Sequence, residues 1–184
     1  MSQAIVNRYP RTGDNALIIE VATSKVEDLY NNFDRHAPYI LKDLDSELTD
    51  YLVNAVSEIG REKFVIHFSF DEPANPELIS RVRVSVKNYF QYMKQLQKRE
   101  LSRMLRTSAI FLLTGLVILF LSITSTREAI DSDSVVLHVL SEGLTVAAWV
   151  SLWQALANIL INWMPHMRLW KIQDRIMHAT LLFE

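Results

Sequence analysis

Residues 107–125 read TSAIFLLTGLVILFLSITS, an apolar run without a charge. About 18 or more such residues are enough to cross a bilayer as a helix, because at ~1.5 Å per residue they match the hydrocarbon thickness. The segment that feeds this run, residues 76–106 (PELISRVRVSVKNYFQYMKQLQKRELSRMLR), is basic and joins it without a glycine or an internal proline. Val82, Val84 and Val86 alternate with Arg81, Arg83, Ser85 and Lys87 as a strand would. Leu78, Val82, Val86, Phe90, Met93 and Leu96 instead continue one helical stripe, and length favours the helix. Helical throughout, residues 76–106 would make a stiff juxtamembrane stalk of about 45 Å.

A second apolar region, residues 135–164, follows a short polar connector, residues 126–134 (TREAIDSDS). From Gly143 to Trp163 it carries no charge, so it too is long enough to span. Trp163 and Trp170 fall where interfacial aromatics sit, and Pro165 is expected to break or kink the helix there. Residues 165–184 then read as a short basic helix and a final strand. Lysine and arginine mark the cytoplasmic side of a membrane. Lys87, Lys94, Lys98, Arg99, Arg103 and Arg106 precede the first span, and Arg168, Lys171 and Arg175 follow the second. Between them the chain offers only Arg127, against Glu128, Asp131, Asp133 and Glu142. The expected fold is therefore a membrane α-helical hairpin with both termini cytoplasmic and residues 126–134 outside.

Residues 1–75 are expected to form a small cytoplasmic α/β domain. Residues 16–22 (ALIIEVA) read as a buried strand, and Ser24 with Glu27 as a capping box. Asp43 and Asp45 open a helix whose stripe is Leu48, Leu52, Ala55, Val56 and Ile59, with Gly60 at its end. Residues 64–70 (FVIHFSF) alternate with period two, and Asn75 and Pro76 carry the start signals of the next helix. Two strands alone are marginal. Residues 180–183 are therefore expected to return to the sheet, within one subunit or between subunits.

The chemistry-bearing patterns are sparse. A net charge of −2 and a pI of 6.2 argue against a general nucleic-acid binder. There is no cysteine, which removes thiolate chemistry and cysteine metal sites. The first residues have no apolar stretch of a cleaved signal peptide. No nucleophile elbow, phosphate loop or dinucleotide fingerprint occurs, and the expectation is no catalytic residue, no cofactor and no metal. His36, His67 and His138 have no ligand-set spacing around them.

In the second span, Gly143, Ala147, Ser151 and Ala155 recur at every fourth residue, the small-residue pattern that lets helix backbones approach in lipid. Gln154, Asn158 and Asn162 recur likewise, and amides facing lipid are costly, so this stripe must face protein or water. Hydrogen bonding between helices of a homo-oligomer and the lining of a pore both satisfy that demand. Arg99, Arg103 and Arg106, with Arg168 and Lys171, read as a collar that orients the hairpin or binds anionic lipid headgroups. Asp34, Asp43, Asp45, Glu47 and Asp50 form an acidic cluster explained by helix capping, with a divalent metal or a basic partner as the alternative.

Glu142, Gly143 and Leu144, followed by Trp149, Val150 and Trp153 and closed by Trp163 and Pro165, resemble the second span of an uncharacterised bacterial family of two-pass inner-membrane proteins. Asp43, Leu44 and Asp45, Tyr89 and Phe90, and the arginine collar extend the resemblance upstream. The family pattern has a proline where this chain has Ala155, and an acid where it has Asn162. The resemblance implies a bacterial inner-membrane setting and assigns no activity. Together these readings point to a non-enzymatic, self-associating scaffold, regulator or docking platform for a cytoplasmic protein partner. The alternative is a subunit of a small oligomeric channel or transporter.

Overall fold

The structure, a computed structural model, describes residues 7–34, 36–73, 75–132 and 135–184. Its elements are β1 (Leu17–Thr23), two 3-10 turns (Val26–Leu29 and Asn32–Asp34), α1 (Ser46–Ile59), β2 (Phe64–Phe70), α2 (Pro76–Ser132), α3 (Val135–Ala157), a π-helical turn (Asn158–Asn162), α4 (Trp163–Met177) and β3 (Thr180–Phe183). The chain divides into two compact units. The first comprises residues 1–96 and 168–184, and the second residues 97–167.

The first unit is built on a parallel sheet in the order β1-β2-β3. Leu17 pairs with Phe64 and Thr23 with Phe70. On the other side of β2, Val65 pairs with Thr180 and Phe68 with Phe183. The C-terminal strand therefore does return to the N-terminal sheet, and it does so within one chain. The period-two reading of β2 holds: Ile66 and Phe68 are fully buried, with Phe64 and Phe70 packed at the margin. Leu52, Ala55, Val56 and Ile59 of α1 close the core from one element. Val82, Val86 and Phe90 of α2 close it from another, which settles the 81–87 segment as helix. The unit thus takes in the first turns of α2 along with residues 7–75.

Local chemistry accounts for the boundaries. Asp45 caps α1, its Oδ1 accepting from the Glu47 and Leu48 amides at 2.8 and 3.3 Å. Gly60 ends that helix at φ 68°, a value that a side chain disfavours. Arg175 of α4 donates to the Gly60 and Glu62 carbonyls just past the helix end and covers the Phe64 ring at 5.0 Å. The capping box expected at Ser24 and Glu27 forms one residue later: the Asp28 carboxylate accepts from the Lys25 amide at 3.0 Å, and the turn is a short 3-10 one. Too few residues separate Ser24 from the Tyr30–Leu44 bridge for a full α-helix there.

α4 is held to α2 by Lys94, whose ammonium lies 2.5 Å from Asp174 and 4.5 Å from the centre of the Trp170 ring. Ile172 and Ile176 bury against the core, and Leu181 and Phe183 follow them on β3. Phe183 stacks on Phe68 with ring centres 5.4 Å apart. Four tyrosines, Tyr9, Tyr30, Tyr39 and Tyr89, have hydroxyls held above their usual range. Burial pushes Tyr30 up to about 12, and burial together with a 2.8 Å hydrogen bond to Glu58 does the same to Tyr9. The Tyr30 hydroxyl is buried close to the buried Ser85 hydroxyl, and neither makes a well-formed hydrogen bond.

The helices differ from the sequence reading in two places. Residues 126–132 are not a loop but the last turns of α2, and of the expected connector Asp133 and Ser134 lie outside the described residues. No glycine or proline interrupts them, and the Thr126 hydroxyl stays in the helix by donating to the Ser122 carbonyl at 2.8 Å. Nor does Pro165 end the second long helix. It lies in the first turn of α4, and the departure from α geometry comes before it, in the π-turn Asn158–Asn162. A proline lacks the amide that would bond four residues back, and a wider turn just upstream removes the need for it.

Two outcomes are expected. Leu181→Ala should cost ~2–5 kcal/mol of unfolding free energy by loss of buried side chain and of packing on β2, measured as the urea midpoint of the full chain in detergent. Tyr30→Phe should change stability by less than about 1 kcal/mol near pH 7, since the buried hydroxyl it removes has at most a poorly aligned contact with Ser85. In the parent, a tyrosine whose folded value is raised contributes stability that is complete below pH ~10 and is lost as the pH rises towards 12. Circular dichroism should therefore find the alkaline limb of the stability curve flatter in Tyr30→Phe.

Candidate functional site

The second unit consists of the apolar lengths of α2 and of α3 with its continuation. Both helices are long and apolar enough to cross a membrane, over 53 residues from Pro76 to Glu128 and 43 residues from Val135 to Met177. They touch along a line of small side chains. Ser108, Gly115 and Ser122 of α2 are buried, as are Ser141, Ala148 and Ala155 of α3, and both sets recur every seven residues. Gly115 is the point of closest approach: a Cβ there would lie 2.9 Å from Leu152 side-chain atoms and 3.2 Å from the Leu152 nitrogen.

One end of the seam is polar. The Ser122 hydroxyl lies 2.9 Å from the Ser141 carbonyl and 2.6 Å from the Thr145 hydroxyl, and Thr145 in turn donates to the Ser141 carbonyl at 3.0 Å. Ser108 turns its hydroxyl back onto the Met104 carbonyl at 3.0 Å, so the small residues bring no unsatisfied donor into the contact. At the other end of the unit, His166 Nδ1 and Gln97 Oε1 are 3.0 Å apart.

The residues singled out from sequence divide between two faces. Ala155 belongs to the seam, at 1% exposure. Ser151 and Asn158 are half-buried, and Gly143, Ala147, Gln154 and Asn162 are exposed. Nothing lies within 4 Å of a Cβ built on Gly143, in contrast to Gly115. The every-fourth-residue stripe is therefore not what joins α2 to α3. The seven-residue repeat of small residues does that.

The amides form a chain along the helix surface. Asn158 Oδ1 accepts from Gln154 Nε2 at 3.2 Å and from Asn162 Nδ2 at 3.0 Å. All three side chains thus belong to one network, and it straddles the π-turn, whose wider geometry brings residues four apart nearly into line. Asn158 Nδ2, Gln154 Oε1 and Asn162 Oδ1 have no partner among the described residues. Around this network the surface is apolar, with Val150, Trp153, Leu160 and Ile161 all mostly exposed.

Of the basic residues, Arg99, Arg103 and Arg106 are exposed in this unit and form no ion pair among the described residues. Arg168 and Lys171 are exposed on the first unit, where Arg168 donates to the Ser57 hydroxyl at 2.7 Å. Among the described residues no group of His, Asp and Glu could hold a metal ion. His67 lies 3.3 Å from the Glu184 carboxylate. Comparison with family models, curated proteins and solved structures returns no match.

Gly115→Leu is expected to separate α2 from α3 in this unit, because the added side chain meets Leu152 down to its backbone. Overpacking of this kind costs about 1–3 kcal/mol or more. Cysteines placed at Ser122 and Ser141 of the otherwise cysteine-free chain should form a disulfide in the parent background and lose it with Gly115→Leu.

Proposed function

We propose that this chain is a non-enzymatic protein of a bacterial inner membrane. In this reading it is anchored by the α2–α3 hairpin with both termini cytoplasmic, and it self-associates to present its α/β unit as a scaffold or docking platform. The bilayer setting is supported by the exposure of residues such as Leu113, Val117, Phe120, Trp149, Val150 and Ile161, a surface far larger than a water-soluble chain leaves uncovered. The bacterial setting rests on the resemblance of the second apolar region to the two-pass family. The orientation rests on the excess of lysine and arginine at residues 87–106 and 168–175. Arg99, Arg103 and Arg106, with Arg168 and Lys171, are suited to anionic headgroups, each worth ~1 kcal/mol near a charged surface.

The observation that carries self-association is the Gln154–Asn158–Asn162 chain on the outward side of α3. The seam with α2 is complete without it. In hydrocarbon its remaining donors and acceptors need partners. A carboxamide is both donor and acceptor, so the group is complementary to its own copy. Every copy threaded the same way holds these residues at the same depth, and α3 can then pack in parallel on α3 of a second copy. Asn158 Nδ2 would donate to Gln154 Oε1 or Asn162 Oδ1 across the contact, while Gly143 and Ala147 allow the backbones to approach.

In nanodiscs or native membranes, Ala147→Cys should cross-link to a dimer under mild oxidation and Trp149→Cys, on another side of the helix, should not. Asn158→Leu should weaken the association about tenfold, in keeping with ~1–2 kcal/mol for such bonds in membranes. An Asn158→Leu protein that assembles as the parent does and changes ion flux in liposomes would replace this reading with that of a pore lined by the same stripe.

A further inference from the structure

The last strand leaves one edge of the sheet open. The Glu184 amide donates to the Phe68 carbonyl at 2.9 Å and the Phe70 amide to the Glu184 carbonyl at 3.2 Å, so Glu184 turns both of its backbone groups towards β2. Successive residues of a strand turn theirs to opposite sides, so Leu181 and Phe183 direct their N–H and C=O groups away from β2. β3 is the outermost strand on this side, and these groups have no hydrogen-bond partner among the described residues. Such a row is a template for a further strand.

Beside this edge lies a cleft of about 280 Å³, between Arg83, Val86 and Lys87 of α2 and the chain from Ile176 to Leu181. Ligand pockets are commonly ~300–1,000 Å³, so this one suits a side chain better than a whole small molecule. Its floor, Val86, Ile176 and Leu181, is apolar and buried. Its rim is basic. Arg83 and Lys87 are exposed, four residues apart on one helix, and neither forms an ion pair among the described residues. The Arg83 guanidinium lies 5.4 Å from the centre of the Phe183 ring, on the open strand itself.

No carboxylate lines the cleft. The acids of the adjoining chain are engaged elsewhere. Asp174 lies 2.5 Å from the Lys94 ammonium, and its carbonyl oxygen is 2.8 Å from Nδ1 of His178, the third basic residue of the lining. The Glu184 carboxylate lies 3.3 Å from His67, whose side chain is on the sheet face opposite Phe68.

Edge and rim together select the occupant. The edge needs donors and acceptors at strand spacing, which a peptide backbone has and a lipid headgroup or a small anion has not. The rim needs carboxylates. β3 of a second copy does not supply them, since residues 180–183 read TLLF, and it would bring a second Arg83 and Lys87 against the first.

We propose that β3 takes up an extended acidic segment of a partner protein as a fourth strand of the sheet. On the face shared with Phe68, alternate glutamates lay their stems on Val86 and Leu181 and their carboxylates on Arg83 and Lys87. On the other face, apolar residues cover Leu182, which is 42% exposed. This gives the scaffold reading its docking surface and rests on that reading, while its own test lies wholly in the first unit.

The test uses the full chain in nanodiscs of zwitterionic lipid. The probe is a fluorescein-labelled octapeptide that alternates glutamate and valine, with a lysine–valine octapeptide as control, read by anisotropy. The glutamate peptide should bind saturably and the lysine peptide should not. Arg83→Gln with Lys87→Gln, at exposed positions, should weaken binding about tenfold or more and flatten its salt dependence. Arg81→Gln, which removes a charge paired with Glu77 outside the cleft, should change it less than about twofold. Methylated backbone nitrogens separate strand addition from charge alone. Placed on every glutamate or on every valine, they should abolish binding in the one peptide whose blocked amides face β3 and spare the other. Equal binding of the glutamate and lysine peptides, equal binding of the two methylated peptides, or unchanged affinity in the Arg83 and Lys87 variant would overturn the proposal. So would a Leu182→Cys protein that cross-links to a second copy without peptide, which would make the edge a contact between copies. Asn158→Leu should leave peptide binding unchanged, so loss of assembly and loss of docking are separable.

Discussion

Hydrogen bonding between β2 and β3 makes the last strand of the chain part of the same sheet as the first. The Glu184 amide donates to the Phe68 carbonyl at 2.9 Å, and the Phe70 amide donates to the Glu184 carbonyl at 3.2 Å. Everything between residues 97 and 167 is therefore an excursion from a unit that is completed only when the chain returns. A two-stranded parallel sheet has little stability alone. The third strand is delivered by α4, which is fixed by Lys94–Asp174, by Arg175 on the Gly60 and Glu62 carbonyls, and by Ile172 and Ile176 in the core. Strand pairing at the end of the chain thus requires the excursion to return to the unit it left.

Within the excursion, polar side chains do two different things. On the seam, Ser108, Ser122, Ser141 and Thr145 bond to nearby carbonyls or to one another, so that small residues allow close approach without leaving a donor unsatisfied. On the outward side, Gln154, Asn158 and Asn162 bond to one another and still hold unused donors and acceptors. The π-turn beneath them directly precedes α4, which holds Pro165 in its first turn. On the proposed reading this local irregularity lies at the contact between copies.

The acidic cluster divides in a comparable way. Asp45 and Asp34 accept from backbone amides, whereas the Asp43 and Asp50 carboxylates have no hydrogen-bond or ion-pair partner among the described residues. Helix capping and the Asp34–Asp43 turn account for part of the pattern in the sequence. The separation appears only when hydrogen bonds are assigned, because a capping aspartate and a free one look alike in a string of letters.

Much of the architecture was legible without coordinates. The two apolar runs, the period-two pattern of residues 64–70, the stripe from Leu48 to Ile59 and the signals at Asp45, Gly60, Asn75 and Pro76 all rest on local physics: transfer of apolar surface, side-chain periodicity and the unsatisfied groups at helix ends. The return of residues 180–183 to the sheet was legible too, since two strands need a third. What the tertiary structure alone decided is which face of each apolar helix meets the other. The sequence carries two small-residue repeats in the second run, one of four and one of seven, and both are compatible with close packing. Only the seven-residue one has a matching set, Ser108, Gly115 and Ser122, on the first helix. A contact between helices is a property of two surfaces together, and each run by itself specifies only one of them.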